Sequence, residues 1–335
     1  MEHIRSQQEN AYTSTGIKFW RHKDSMISYR KKTGNTVIST HISPEGACNL
    51  KCEYCCVSKR KYNNRIDIEV IKNYVSKLKT RGLKAVIITG GGEPTLYPSF
   101  VELVEWLHKE QGLQLGIITN GTNINRFDNQ FWNMFTWIRI SLNFFQDYQK
   151  LINFPKIDGT VGASMVYTNQ TLTDMMEISH FVDKDKVEYI RVLPNIMHSQ
   201  DILECEHRYI EKLLKEINDE RFFCHVKQHA VPKCEKCHQA YFRPYLSEVD
   251  GGTVFPCDSL VFNEEQMKFG NQYAICKPEE ILDFMDYKID LRFDAREICH
   301  ECVFTDNINL LDAWVNTGMG RFDKYNDPLI HENFV

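Results

Sequence analysis

Residues 85–107 read AVIITGGGEPTLYPSFVELVEWL, and this stretch decides the fold. Residues 85–89 are apolar or β-branched and read as a buried strand, which ends in a turn at Gly90-Gly91-Gly92-Glu93-Pro94. Phe100, Leu103, Trp106 and Leu107 follow at spacings of three and four, the pattern of one helix face. The same strand-then-helix theme recurs outward in both directions. Candidate strands are 36–42, 115–119, 137–142, 161–167 and 188–192, and Ile68, Ile71, Val75 and Leu78 mark a second helix face. Strands alternating with helices of this length form βαβ units and a parallel sheet, so the fold class is α/β. Six units are too few for a closed eight-stranded barrel. An open, partial barrel and a doubly wound sheet both fit. A helix over 203–217 closes this domain, which runs from 35 to 221, behind an N-terminal extension of 1–34. From 222 to 335 the alternation stops and cysteines become dense.

With 42% hydrophobic and 25% charged residues, the 335-residue chain has ordinary globular composition. Its net charge of -5 argues against a broadly basic nucleic-acid-binding surface. Two local basic groups, Arg21, Lys23, Arg30, Lys31 and Lys32, then Lys59, Arg60, Lys61 and Arg65, read as solvated faces. The polar first residues resemble no secretory signal, and no run reaches the ~18 apolar residues of a membrane span. A cytoplasmic location is expected. Twelve cysteines are many for a compartment that disfavours disulfides, which turns attention to metal binding and redox chemistry.

Ligands of a parallel α/β domain gather at the carboxyl ends of its strands. There this chain places Gly90-Gly91-Gly92-Glu93, Asn120-Gly121 and Ser141-Leu142-Asn143. Directly after the first strand stands Cys48-Asn49-Leu50-Lys51-Cys52-Glu53-Tyr54-Cys55, a C-x3-C-x2-C triplet. Three thiolates in one loop suit three irons of a 4Fe–4S cluster and leave the fourth without a protein ligand. An open position is where a small molecule binds a metal. Incidental cysteines or a partial zinc site are the competing readings of the triplet alone.

The triplet resembles the signature of the radical S-adenosylmethionine (SAM) superfamily, with Tyr54 at the aromatic position before the last cysteine. The resemblance implies that SAM chelates the open iron of a cluster held by Cys48, Cys52 and Cys55. An electron from the cluster then breaks a carbon–sulfur bond, giving methionine and the 5′-deoxyadenosyl radical. Gly90-Gly91-Gly92-Glu93-Pro94, after the second strand, resembles the family's GGE motif. Gly91 and Gly92 would let the backbone approach SAM, with Pro94 completing the turn. The Glu93 carboxylate would accept hydrogen bonds from the methionine ammonium. Asn120, Ser141 and Asn143 resemble further SAM-contact positions. Ser164 and Arg191 are candidates of the same kind, with a structural hydrogen bond or ion pair as their competing role. The resemblance covers about residues 36–200 and implies a partial (β/α)6 barrel.

The tail carries Cys234, Cys237, Cys257, Cys276, Cys299 and Cys302. Cys237-x14-Gly252-x4-Cys257, with a hairpin turn at Asp250-Gly251-Gly252, is similar to the auxiliary-cluster element of SPASM and Twitch domains. Cys299 and Cys302 would complete an auxiliary 4Fe–4S cluster with Cys237 and Cys257, Cys234 being a rival to Cys237. Phe269-Gly270-Asn271 resembles the short strand after that hairpin, and Cys276 beyond it reads as a buried thiol. The dense cysteine run of a second auxiliary cluster is missing. Zinc at Cys234, Cys237, Cys299 and Cys302 is the alternative, although 61 residues separate the two pairs and Cys257 is left idle. Cys56 reads as a buried thiol, and Cys205 and Cys224 lack partners. His225, His229, His238 and His300 read as bystanders.

The resemblance implies an enzyme that abstracts hydrogen from its substrate and draws on a reducing donor such as flavodoxin or ferredoxin, with no membrane involved. A peptide or amino-acid residue is the first expectation for the substrate, because SPASM and Twitch relatives most often modify peptides. About 35 residues before the barrel are short for a complete leader-binding domain, which weighs against it. A nucleotide, a nucleic-acid base or a base-linked amino acid is the enzymatic alternative. A non-enzymatic iron–sulfur or zinc protein is the alternative from another class, and it would not need Glu93.

Overall fold

The computed structural model describes residues 6–58, 60–61, 63–142, 147–261, 272–300, 302–322 and 329–335. Seven parallel strands follow one another: β1 (Ser39–Ile42), β2 (Ala85–Ile88), β3 (Gln114–Thr119), β4 (Trp137–Ser141), β5 (Thr160–Val166), β6 (Tyr189–Leu193) and β7 (Phe222–Cys224). Helices α1 (Ile68–Lys79), α2 (Phe100–Glu105), α3 (Asn129–Trp132), α4 (Tyr148–Asn153), α5 (Leu172–Phe181) and α6 (Gln200–Ile217) occupy the successive crossovers. Strand order never reverses, as a doubly wound sheet requires, so the topology is that of a barrel left open.

Right-handed crossovers running one way lay the helices on one face of the sheet. Val86, Ile117, Ile140 and Val192 share a core with Ile71, Leu103, Met175 and Ile210 of the helices. Alternation then turns His41, Ile118, Arg139, Ser164 and Arg191 to the opposite, inner face. There Ala85, Ile87 and Trp137, closed by Phe334, form a small apolar cluster.

The tail enters the same sheet. β8 (Tyr245–Ser247) runs parallel beside β1, and β9 (Thr253–Phe255) turns back antiparallel, giving nine strands in the order β7-β6-β5-β4-β3-β2-β1-β8-β9. Asp250, Gly251 and Gly252 have φ of 51°, 72° and 130°, the left-handed backbone that the expected turn requires. Helix α7 (Thr305–Thr317) packs on the segment before β1: Trp314 Nε1 donates to the Met26 carbonyl at 3.1 Å. Phe19, Trp20, Met26 and Tyr29 of that segment lie in the main core. No helix among the described residues is long and apolar enough to cross a membrane.

A buried ion pair ties α5 to β7. Arg221 donates to Asp219 Oδ2 at 2.7 Å and to the carbonyls of Val182 and Ser179 at 2.9 and 3.1 Å. Burial raises the Asp219 pKa, but hydrogen bonds from Arg221 and Ser179 outweigh it and hold the carboxyl at about 2. A depressed carboxylate stabilises the fold above its unfolded pKa of 3.8, and that contribution fades as pH falls toward 2. It is worth about 2 kcal/mol at neutral pH. Asp219→Asn is therefore expected to lower urea stability at pH 6, with the gap shrinking below pH 3.8 and closing only near pH 2; a gap that stays constant with pH would refute this account.

Candidate active site

The cysteine loop follows β1 and is stitched to the loop after β2. Gly92 N donates to the Glu45 carbonyl at 2.9 Å, and Glu93 N to the Ala47 carbonyl at 2.8 Å. A Cβ on Gly92 would sit 1.9 Å from the Ala47 oxygen, so that approach admits no side chain. A Cβ on Gly91 would meet Glu248 Oε1 at 1.9 Å. Glu248 comes from the end of β8, is buried, and accepts from Ser43 Oγ at 2.6 Å and Ser247 Oγ at 3.1 Å. Burial raises its pKa.

Cys48, Cys52 and Cys55 are free thiols, half-buried in one loop. Burial raises the Cys52 pKa, followed by the charges of Cys55 and Cys48 of the same loop. Tyr54 hydrogen-bonds Cys52. Donors also reach the other two: Leu50 N at 3.5 Å and Asn120 Nδ2 at 3.9 Å from Cys48 Sγ, and Arg60 Nη1 at 3.5 Å from Cys55 Sγ. Three thiols of one loop ringed by N–H donors fit an iron–sulfur cluster. Arg60 departs from the solvated-face reading. It is buried and also donates to the carbonyls of Gly46 and Val57, each at 2.8 Å. Arg65 pairs with buried Glu45 at 2.6 Å.

Glu93 is 2% exposed and braces the end of β3. Oε1 accepts from Thr95 N (3.1 Å), Thr95 Oγ1 (2.7 Å) and Thr119 Oγ1 (2.6 Å), and Oε2 from Asn120 N (2.7 Å). Oε2 keeps one lone pair for a further donor. Asn120 Nδ2 donates to Asn49 Oδ1 at 2.8 Å, joining β3 to the cysteine loop. Pro94 opens the short helical turn that Glu93 caps. Ser141 and Ser164 are register partners on β4 and β5. Arg191 Nε donates to Ser164 Oγ at 2.9 Å, and Nη1 lies 3.0 Å from His225 Nδ1. Asn143 and Phe269-Gly270-Asn271 lie outside the described residues. A cavity of about 620 Å³ opens beside the cysteine loop, lined by Cys52, Tyr54, Tyr167, Asn195, His198 and Glu206.

In the tail, Cys234, Cys237, Cys299 and Cys302 pack together with Phe304. Burial pushes the Cys237 and Cys257 thiols well up; the charges of Cys299, Cys302 and Cys234 add to this at Cys237, and those of Cys237, Asp258, Cys302 and Cys299 at Cys257. Such a set carries its negative charge only against a cationic centre. The strongest charge acting on Cys234 is instead Asp312. Cys234, His238 and Asp312 have ligating atoms within 4.8 Å of one another. Cys276 is buried in the main core, where burial pushes its thiol to about 12. Cys56 is pushed to about 12 in the same way, whereas Cys205 is exposed and Cys224 half-buried. The sequence held no local signal for Glu248, His41 or Arg60 as parts of this architecture.

Residues 42–159 match the family model of the Radical SAM superfamily. That stretch is similar to a radical SAM domain. The chain is 35% identical over 85 residues to an S-adenosylmethionine-dependent nucleotide dehydratase of Selenomonas ruminantium, covering 25% of this chain and 30% of that protein. It is 33% identical over 95 residues to a GTP 3′,8-cyclase of Chlorobaculum tepidum, 28% of each chain. The chain thus spans less than a third of the length of these two relatives. Among solved structures, the chain resembles Streptococcus suis SuiB bound to the precursor peptide SuiA. The TM-score is 0.52 at 18% identity, over 67% of this chain and 60% of that one. SuiB bound to S-adenosylmethionine gives 0.51 at 17% identity, over 69% and 64%. At such identity the likeness is one of fold.

Proposed function

We propose that this chain is a radical SAM enzyme that cleaves SAM reductively at a 4Fe–4S cluster on Cys48, Cys52 and Cys55 and abstracts hydrogen from a bound substrate. Bound SAM and its cluster would supply the 5′-deoxyadenosyl radical. The observation that carries the reading is the joining of the two motifs: backbone bonds from Gly92 and Glu93 bind the GGE loop to the cysteine loop. Glu93 holds Thr119 and Asn120 in place and presents its last lone pair to an ammonium donor. Gly91 and Gly92, with Tyr54, Ser141 and Asn120, would line the approach to SAM. Hydrogen bonds to the sulfurs tune the site's potential.

A second, auxiliary 4Fe–4S cluster at Cys237, Cys257, Cys299 and Cys302 forms part of the same proposal. Its support is that the charges of Cys299 and Cys302 act on both Cys237 and Cys257, whereas the first charge acting on Cys234 is that of Asp312. SuiB, a protein of like fold, was solved with a precursor peptide, which favours a peptide or amino-acid substrate. A nucleotide substrate is the second reading, favoured by the nucleotide-directed relatives and by the cationic interior of the sheet.

The test is anaerobic reconstitution with iron and sulfide, addition of SAM and dithionite, and measurement of 5′-deoxyadenosine. The native chain is expected to produce it. Glu93→Gln keeps the shape of the side chain but takes the charge from Oε2. It is expected to weaken SAM binding about tenfold or more with iron content unchanged. SAM binding and 5′-deoxyadenosine output equal to the native chain would remove Glu93 from the SAM site.

A further inference from the structure

On the inner face of the sheet, below the cysteine loop, lies a cavity of about 130 Å³, space for several waters. Its lining holds four basic side chains, Arg139, Arg191, Lys227 and Arg243, against two carboxylates, Asp258 and Asp306. Glu9 lies behind His225, and Lys18 lies below. Crowded cations in a buried space are costly unless an anion joins them.

The arginines are held rigidly, each by contacts that leave at least one nitrogen uncommitted. Arg139 donates Nε to Tyr189 OH at 3.1 Å and Nη2 to the Tyr12 carbonyl at 2.8 Å, leaving Nη1. Arg191 donates Nε to Ser164 and directs Nη1 to His225, leaving Nη2. Arg243, 2% exposed, donates Nη1 to the Val335 carbonyl at 3.2 Å and stacks on Phe304 at 4.6 Å. Its Nη2 is buried without a partner among the described residues. So are His41 Nε2 and Asp258 Oδ1 beside it. Burial, then the charge of Arg139, pushes Lys18 down to about 7 and Arg191 down from its usual range.

We propose that this cavity is the substrate's anchor and takes a phosphate monoester, with a hydroxyl beside the phosphate meeting Asp258. Three pre-set guanidinium nitrogens suit the three terminal oxygens of that group. The surplus of two basic groups over acidic ones in the lining matches its charge of about −2. A lone carboxylate would leave one cation unanswered. The proposal rests on the radical SAM reading above and narrows its substrate to phosphorylated small molecules.

The experiment is equilibrium dialysis of the reconstituted, anaerobic protein without reductant. The probes are inorganic phosphate, 5′-GMP, guanosine and N-acetylglycine. Phosphate and 5′-GMP are expected to bind, with guanosine and N-acetylglycine at least tenfold weaker. Arg191→Gln and Arg243→Gln are each expected to lose about tenfold or more in phosphate affinity. Arg243→Lys should lose less, and Lys31→Gln, on an exposed residue, should lose nothing. Melting curves and iron content identify any variant that fails to fold.

Several results would overturn the proposal. Guanosine binding as tightly as 5′-GMP, or N-acetylglycine as tightly as phosphate, removes the phosphate. Displacement of phosphate by saturating SAM makes these residues SAM's own carboxylate site. Arg243→Gln that binds phosphate normally but alters the absorption of the tail cluster makes Arg243 a cluster counter-ion. Because binding is read without turnover, none of these results touches 5′-deoxyadenosine formation, so failure here leaves the radical SAM reading to its own assay.

Discussion

Alanine at Cys48, Cys52 and Cys55 together is expected to end 5′-deoxyadenosine formation and to halve the iron bound per chain, from about eight atoms to about four. The charges of Cys55 and Cys48 act on Cys52 of the same loop. No other cysteine stands in for them. Cys56 is the neighbour in sequence, but it stands off the C-x3-C-x2-C spacing. Cys56→Ala should therefore leave iron content and SAM cleavage unchanged. The complementary variant, Cys237→Ala with Cys257→Ala, should lose the other half of the iron. The assay pairs iron and sulfide determination with chromatography of the SAM products. Continued 5′-deoxyadenosine release by the triple variant would remove the proposed chemistry from this loop. Full iron content in that variant would remove the cluster itself.

Gly92→Ala is expected to be the most damaging single methyl addition in the chain, destabilising it by about 3 kcal/mol or more. The added carbon would lie 1.9 Å from the Ala47 oxygen, 2.5 Å from its carbonyl carbon and 2.7 Å from the Gly46 carbonyl carbon. All three atoms are backbone, one residue or two before Cys48, so relief requires moving the cysteine loop. Loss of iron should accompany loss of stability. Gly91→Ala is different, because its new carbon meets the Glu248 carboxyl, a side chain. Combining Gly91→Ala with Glu248→Ala is expected to recover about 1 kcal/mol or more of the summed penalties. Denaturant midpoints of the four chains in that cycle provide the check. Strict additivity would mean that Glu248 does not set the limit at Gly91.

These two glycines show how far the sequence could be read. Gly-Gly-Gly-Glu after a strand announces a close approach, and the motif is local enough to be seen. What makes the approach is a carbonyl at Ala47 and a carboxyl at Glu248, and Glu248 lies 157 positions along the chain from Gly91. The six alternating strands were legible because their apolar runs are long and regularly spaced. Strands β7, β8 and β9 have three residues each, too few for periodicity to register. The pairing of β8 with β1 follows from tertiary packing alone. Cysteine spacing marked the metal-binding regions for the same local reason. His41, Arg139 and Arg243 carry no motif, and only their shared inner face unites them. Arg60 looked like one lysine-rich surface residue among several until its three backbone and sulfur contacts were visible.

The junction of β1 with β8 has one more consequence, for electron traffic. β1 leads into the loop of Cys48, and β9, two strands away, leads into Cys257. Neighbouring strands lie about 4.8 Å apart, so β1 and β9 are about 10 Å apart across one hydrogen-bonded sheet, and because β9 runs back antiparallel the two cysteine loops leave it at opposite ends. Among the described residues no hinge separates them along that path. The span between the two proposed centres would thus be fixed like the rungs of a ladder, with no joint along that path at which a domain swing could lengthen it.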